Sequence, residues 1–263
     1  MLKLFRNIRK KLLEQGKTAN YLKYAIGEIV LVVIGILIAL QINTWNENRK
    51  ASIVEDNFFK NVLIDLKKDE EKLTYYNKFY SSRISYLDTL LTYVRNPNII
   101  MGIDKFGMYT EPLFYASDPT NNATTFESAK TSGAFNNFKE KELLKDLSQY
   151  YADFPLIEQS FSSVLRFIEN QFEPLMYILP ESYMTDETGA LVINEGDIQD
   201  FYDKIASIKD YRNLTPNYES VLRTSRMENY LIGDMGRSFN ALGKIRARQA
   251  MLNKLKNEIK QYD

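Results

Sequence analysis

A chain of 263 residues and 30.7 kDa has room for one or two compact units. Its 34 Lys and Arg balance 34 Asp and Glu, while His and Cys are absent; this excludes zinc fingers, haem held by His or Cys, cysteine nucleophiles, Ser-His-Asp triads and structural disulfides. With 11 Gly and 7 Pro against 18 Tyr and 15 Phe, the composition suits long helices with aromatic cores, so the expected fold class is all-α.

The first element is a basic head, residues 1–23. Lys3, Arg6, Arg9, Lys10, Lys11, Lys17 and Lys23 face Glu14 alone, a net charge of +6, and the rest of the chain is −6. Leu2, Phe5, Ile8 and Leu12 recur at helical spacing. The head is therefore expected either as an amphipathic helix on an anionic leaflet or as a solvated anchor selected for charge alone. Gly16 ends that pattern and Thr18 can cap the next helix.

Residues 24–42 form the second element. Fourteen residues from Ile29 to Ile42 carry no charge, and extension back to Tyr24 gives about 28 Å of helix, close to the roughly 30 Å of a hydrocarbon core. The run is hydrophobic all round and is followed by Trp45 at interface height. Ala39-Leu40-Gln41-Ile42-Asn43 offers no pair of small residues for processing, so an uncleaved signal anchor is expected. The positive-inside rule puts the head in the cytoplasm and residues 43–263 in the periplasm of a bacterial inner membrane. Glu28 lies one turn inside the apolar boundary and is expected to reach headgroups or Lys23, to meet another membrane helix, or to serve an ion path. Gly35 and Ala39 form a small-xxx-small pair through which another helix could approach.

The stretch from Gly16-Lys17-Thr18 to Glu47, with Tyr24-Ala25-Ile26-Gly27-Glu28-Ile29-Val30 within it and Gln41-Ile42-Asn43-Thr44-Trp45-Asn46-Glu47 at its end, resembles the amino-terminal signature of a family of uncharacterised single-pass membrane proteins of Bacteroidota. Thr125-Phe126-Glu127-Ser128-Ala129-Lys130-Thr131-Ser132-Gly133 is similar to that family's internal Ser-Gly step. The family is a domain of unknown function, so the resemblance implies a location and no activity.

Beyond the anchor the apolar spacing is helical. Phe59, Leu66, Leu73, Tyr80, Leu87 and Val94 recur every seven residues, with Val62, Tyr76 and Leu90 between them and Ile84 and Leu91 widening the stripe. Asp69 and Arg83 interrupt it. Two charges in the seam disfavour a parallel coiled coil, and an intramolecular bundle holding them near its edge is expected. No Gly or Pro falls between Ile36 and Arg95, so the membrane helix should run unbroken to Asn96-Pro97. Residues 139–179, with kinks at Pro155 and Pro174, and residues 217–260 match its length. Matched lengths predict an antiparallel bundle whose second helix returns toward the membrane and whose third leaves it. Residues 97–138 then form a distal cap with a short helix near Thr124 to Thr131, and residues 180–216 a membrane-proximal connection with a strand at 190–193 and a helix from Asp197 to about Ser207.

Chemistry is sparse. The Asp65, Asp69, Glu70, Glu71 cluster is interleaved with Lys67, Lys68 and Lys72 and is expected to be a solvated face, not a metal site. The chain has no Ser-x-x-Lys, no Gly-x-Ser-x-Gly and no phosphate loop, so neither catalysis nor a cofactor is expected. Thr125, Glu127, Ser132 and Gly133 are expected to cap and join helices or to offer a distal surface. Tyr75, Tyr76, Tyr80, Tyr150 and Tyr151 fit bundle core better than a ligand pocket. Nucleic acid is not an expected partner of the acidic remainder. The expected partners are the lipid bilayer and another membrane or periplasmic protein, a second copy included. The expected function is an interaction or scaffold module of the cell envelope, with an extracytoplasmic small-molecule sensor as the alternative.

Overall fold

A computed structural model describes residues 18–176, 204, 207–209, 211–212 and 217–262. The basic head up to Lys17, the expected strand at 190–193 and nearly all of the helix after Asp197 lie outside them. Every regular element among the described residues is helical, as the scarcity of Gly and Pro requires.

Helix α1 runs unbroken from Thr18 to Arg95 and stops before Asn96-Pro97, where proline disfavours a helical residue ahead of it. Then come α2 (Ile103–Thr110), a 3₁₀ turn (Glu111–Phe114), α3 (Thr124–Thr131) and a second 3₁₀ turn (Ala134–Asn137). Helices α4 (Lys141–Ala152) and α5 (Phe154–Phe167) follow, then a π-helical turn (Ile168–Phe172) and α6 (Glu173–Met176). Pro155 lies in the first turn of α5, where its missing N–H costs nothing. Pro174 follows the π-turn, whose wider ring accommodates a residue that cannot continue the i→i−4 ladder. The last segment is broken once: α7 (Tyr218–Leu222) and α8 (Ser225–Tyr262) meet at Arg223-Thr224, and the Thr224 hydroxyl caps α8 by accepting from the Met227 N–H at 3.1 Å.

The chain divides into two compact units. The first contains residues 1–58 and 129–139. From Ile29 to Ile42 its helix leaves every large apolar side chain exposed. Among the described residues it is the one helix long and apolar enough to cross a membrane. Further along, Phe58 packs edge-on against Phe135 at 5.4 Å and tilted against Phe138 at 5.1 Å. The Lys139 N–H donates to the buried carboxylate of Glu55 at 2.7 Å. Gly133 ends α3 at φ 73°, a left-handed conformation that glycine adopts without a Cβ penalty.

The second unit holds residues 59–128 and 140–263, and its contacts correct the expected direction of the chain. Moving forward from Pro112 to Thr125, partners on α1 step backward: Arg83 binds the carbonyls of 112–115, Tyr76 those around Asp118, Asp69 binds Asn122, and Asp65 binds Thr125. Residues 97–128 are therefore a strap returning along α1, not a cap at its far end. Helices α4 and α5 then run in the same direction as α1, since Tyr150 meets Asp69 and Phe161 meets Tyr76 and Tyr80. Helix α8 comes back, with Glu228 at Arg95, Asp234 at Arg83 and Lys256 at Glu70. The residues flanking 180–216 accordingly lie at the C-terminal end of α1: Arg223 donates to the carbonyls of Tyr93, Asn96 and Ile99, and the Tyr218 hydroxyl donates to Met101. Length matching misled because it counted regular helices alone. The strap's non-helical stretch from Tyr115 to Ala123 carries the chain from Arg83 back to Asp65, a longer advance per residue than the roughly 1.5 Å of a helix, so a short segment makes that return.

Candidate functional site

Two polar clusters lie in the seam of the second unit. Arg83 and Asp234 are 2% and 0% exposed. Arg83 grips Asp234 with Nε at 3.2 Å and Nη2 at 2.6 Å, and its remaining donors reach the carbonyl oxygens of Pro112, Leu113 and Tyr115. Asp234 also accepts from the Tyr230 hydroxyl at 2.7 Å and the Ser238 hydroxyl at 3.1 Å. Burial alone would lower the Arg83 pKa, but the Asp234 carboxylate outweighs it and the guanidinium is held charged. With donors and acceptors filled, the cluster pins α1, the strap and α8 in one register.

Three to four turns earlier, Asp69 accepts from the Asn122 N–H and side-chain amide at 2.8 and 2.7 Å and from the Tyr150 hydroxyl at 2.9 Å. Arg248 stands 3.7 Å from it and lies over the Tyr150 ring, 3.6 Å from the centroid. Asp65 takes the Thr125 hydroxyl at 2.5 Å. Asp69 and Arg83 thus sit inside the seam, not at its edge, and Asp65 and Asp69 are strap ligands, not a solvated face. Tyr76, Tyr80, Tyr150 and Tyr151 are buried, whereas Tyr75 is exposed. Burial, the largest influence, raises the phenolic pKa of Tyr80, Tyr150, Tyr151 and Tyr230 well above the ordinary value. Among the described residues the Tyr80 hydroxyl has no hydrogen-bond partner.

The residues singled out in the sequence do not converge on one site. Glu28 is half-buried; Gly35 has no atom within 4 Å of where a Cβ would stand; Ala39 is exposed; Trp45 is 63% exposed. Thr125 is committed to Asp65, about thirty residues before the end of α1, so it is not part of a distal surface. Glu127 is exposed, and the Ser132 hydroxyl donates to the Ala129 carbonyl at 3.0 Å, just before Gly133 turns the chain. Ser132 and Gly133 join helices. No group of three or more carboxylates suited to a metal ion occurs among the described residues.

Sequence spacing passed over the outward face of α8. Its core side reads Tyr230, Leu231, Asp234, Ser238, Ala241, Leu242, Ile245, Arg248, Leu252, Leu255 and Ile259. Phe239, an apolar residue of the 217–260 stretch, falls outside that side and is 55% exposed, while the polar Asp234 and Ser238 are buried. On the same face Ile232 is 45% exposed, and Gly236 and Gly243 have no atom within 4 Å of a built Cβ. Beside it, a cleft of about 190 Å³ is lined by Leu156, Ile157, Ala247 and Met251 together with Tyr150, Asp153, Lys244 and Arg248. Gly233, on the flank toward α5, is different: a Cβ there would stand 2.6 Å from the Phe167 ring, which is stacked on Tyr230 and covered by Arg237.

Residues 28–137 match a family of unknown function, DUF6090. The matched stretch carries Asp65, Asp69, Arg83 and their strap ligands, while Asp234 and Arg248 lie beyond it. Neither a curated protein nor a solved structure matches the chain.

Proposed function

We propose that this protein is a membrane-anchored helical module that works by holding a partner protein at the bilayer, not by transforming a small molecule. The carrying observation is the division of burial along one unbroken helix. From Ile29 to Ile42 its large apolar side chains are uncovered, a state that lipid tails relieve and water does not. From Phe59 onward the same helix is the seam of a filled, charge-pinned core. The seven basic residues before Tyr24 favour a cytoplasmic amino terminus, which sends the bundle into the periplasm of the inner membrane. The tyrosines of the seam fill space against one another, and the cleft beside Arg248 is smaller than the roughly 300–1,000 Å³ of ligand pockets. These points favour assembly over sensing. Two measurements test the reading: fractionation with alkaline carbonate, then lysine-reactive crosslinking in native membranes. The protein should remain in the pellet and form a discrete adduct with another polypeptide. Release into the supernatant, or monomer alone after crosslinking, contradicts it.

A further inference from the structure

We infer that the outward face of α8 from Ile232 to Ala250 is the docking surface, and that its occupant is an acidic amphipathic helix of another protein. The inference rests on the module reading above and adds the place and the chemistry. At about 100° per residue, Ile232, Gly236, Phe239, Gly243 and Ala250 fall close to one line, opposite the core positions Asp234, Ala241, Ile245 and Leu252. Solvent-facing helix positions ordinarily carry charge, yet from Ile232 to Gly243 this line carries none, and the first charge on it is Arg246. Glycine is the residue a helix interior tolerates least after proline. Two of them here, open to solvent, lower the strip on either side of Phe239 so that a second helix backbone can come close.

Charge selects the occupant. Between Glu228 and Glu258 the only acid on α8 is Asp234, which is buried. Arg237 and Lys244 lie on the flank toward α5, and Arg246 lies on the line itself. Lys244 and Arg246 make no ion pair among the described residues. A second copy would set one basic flank against another, whereas a helix with an apolar stripe bordered by Asp and Glu meets both features at once. Leu156, Ala247 and Met251 continue the apolar strip into the neighbouring cleft, where Asp153 and Lys244 also line the wall and there is room for one side chain of the incoming helix.

The test uses the full-length protein in native membranes with Phe239→p-benzoylphenylalanine, irradiation, and mass spectrometry of the crosslinked peptide. The expected adduct maps to a segment of another protein with apolar residues at three- and four-residue spacing and carboxylates beside them. In the same background Lys244→Glu with Arg246→Glu should cut its yield at least tenfold while leaving the melting temperature unchanged. Adducts with a second copy, with lipid or with a segment lacking acids overturn the inference, as does a yield indifferent to charge reversal. If position 239 forms no adduct while lysine-reactive crosslinking still captures a partner, α8 is the wrong surface and the module reading stands. If neither reagent captures a protein, both fall.

Discussion

Tyr80 and Arg83 lie one turn apart on α1 and meet opposite fates in the same interior. Arg83 has every donor engaged, while the Tyr80 hydroxyl is buried without a partner among the described residues, which costs about 1–3 kcal/mol. Tyr80→Phe should therefore leave the protein as stable or more stable at pH 7. It should also blunt alkaline unfolding. A tyrosine whose folded pKa is raised above its unfolded value near 10 stabilises the fold fully below that pH. Above it the unfolded chain ionises first, so stability falls as pH rises from about 10. Chemical denaturation at pH 7 and pH 11 checks both statements; a Tyr80→Phe loss of more than ~1 kcal/mol at pH 7 would mean the hydroxyl is satisfied after all.

Removing one member of the Arg83–Asp234 pair strands the other. Arg83→Met or Asp234→Leu should each cost about 3–5 kcal/mol, and the double variant much less than their sum. The presence of Arg83 in an apolar seam was legible in the sequence, but its partner was not. Asp234 lies 151 residues away, and no local spacing joins the two. A charge inside an otherwise apolar heptad was the available signal; it pointed to the edge of the seam, whereas Arg83 is buried within it.

At the scale of elements, periodicity located α1, the short helix α3 and the breaks at Pro155 and Pro174, because each is dictated by residues within a few turns. Direction was not legible. It is set by which strap residue meets which carboxylate of α1, a matter of register between distant segments. Asp234 and Ser238 show the same limit, for they are buried on α8 through bonds that no hydrophobicity pattern contains, while Phe239 is exposed. The α8 glycines give a test at this scale. Gly233→Ala should destabilise by about 1–3 kcal/mol, since its new methyl meets a Phe167 ring held between Tyr230 and Arg237. Gly236→Ala, in open space, should stabilise by up to about 1 kcal/mol. Thermal melts of the two variants decide it; equal shifts would remove the close approach from the account.

For the whole molecule, the division between an exposed apolar stretch and a packed seam was readable from hydropathy and charge, and the absence of cysteine makes the proposed lipid contact directly measurable. Single variants Asn7→Cys, Leu37→Cys and Lys60→Cys in the full-length protein can be treated with a membrane-impermeant maleimide on intact spheroplasts and after lysis. The account predicts labelling of position 60 in intact spheroplasts, labelling of position 7 only after lysis, and none at position 37 until detergent is added. Labelling of position 37 without detergent, or of position 7 before lysis, would contradict it.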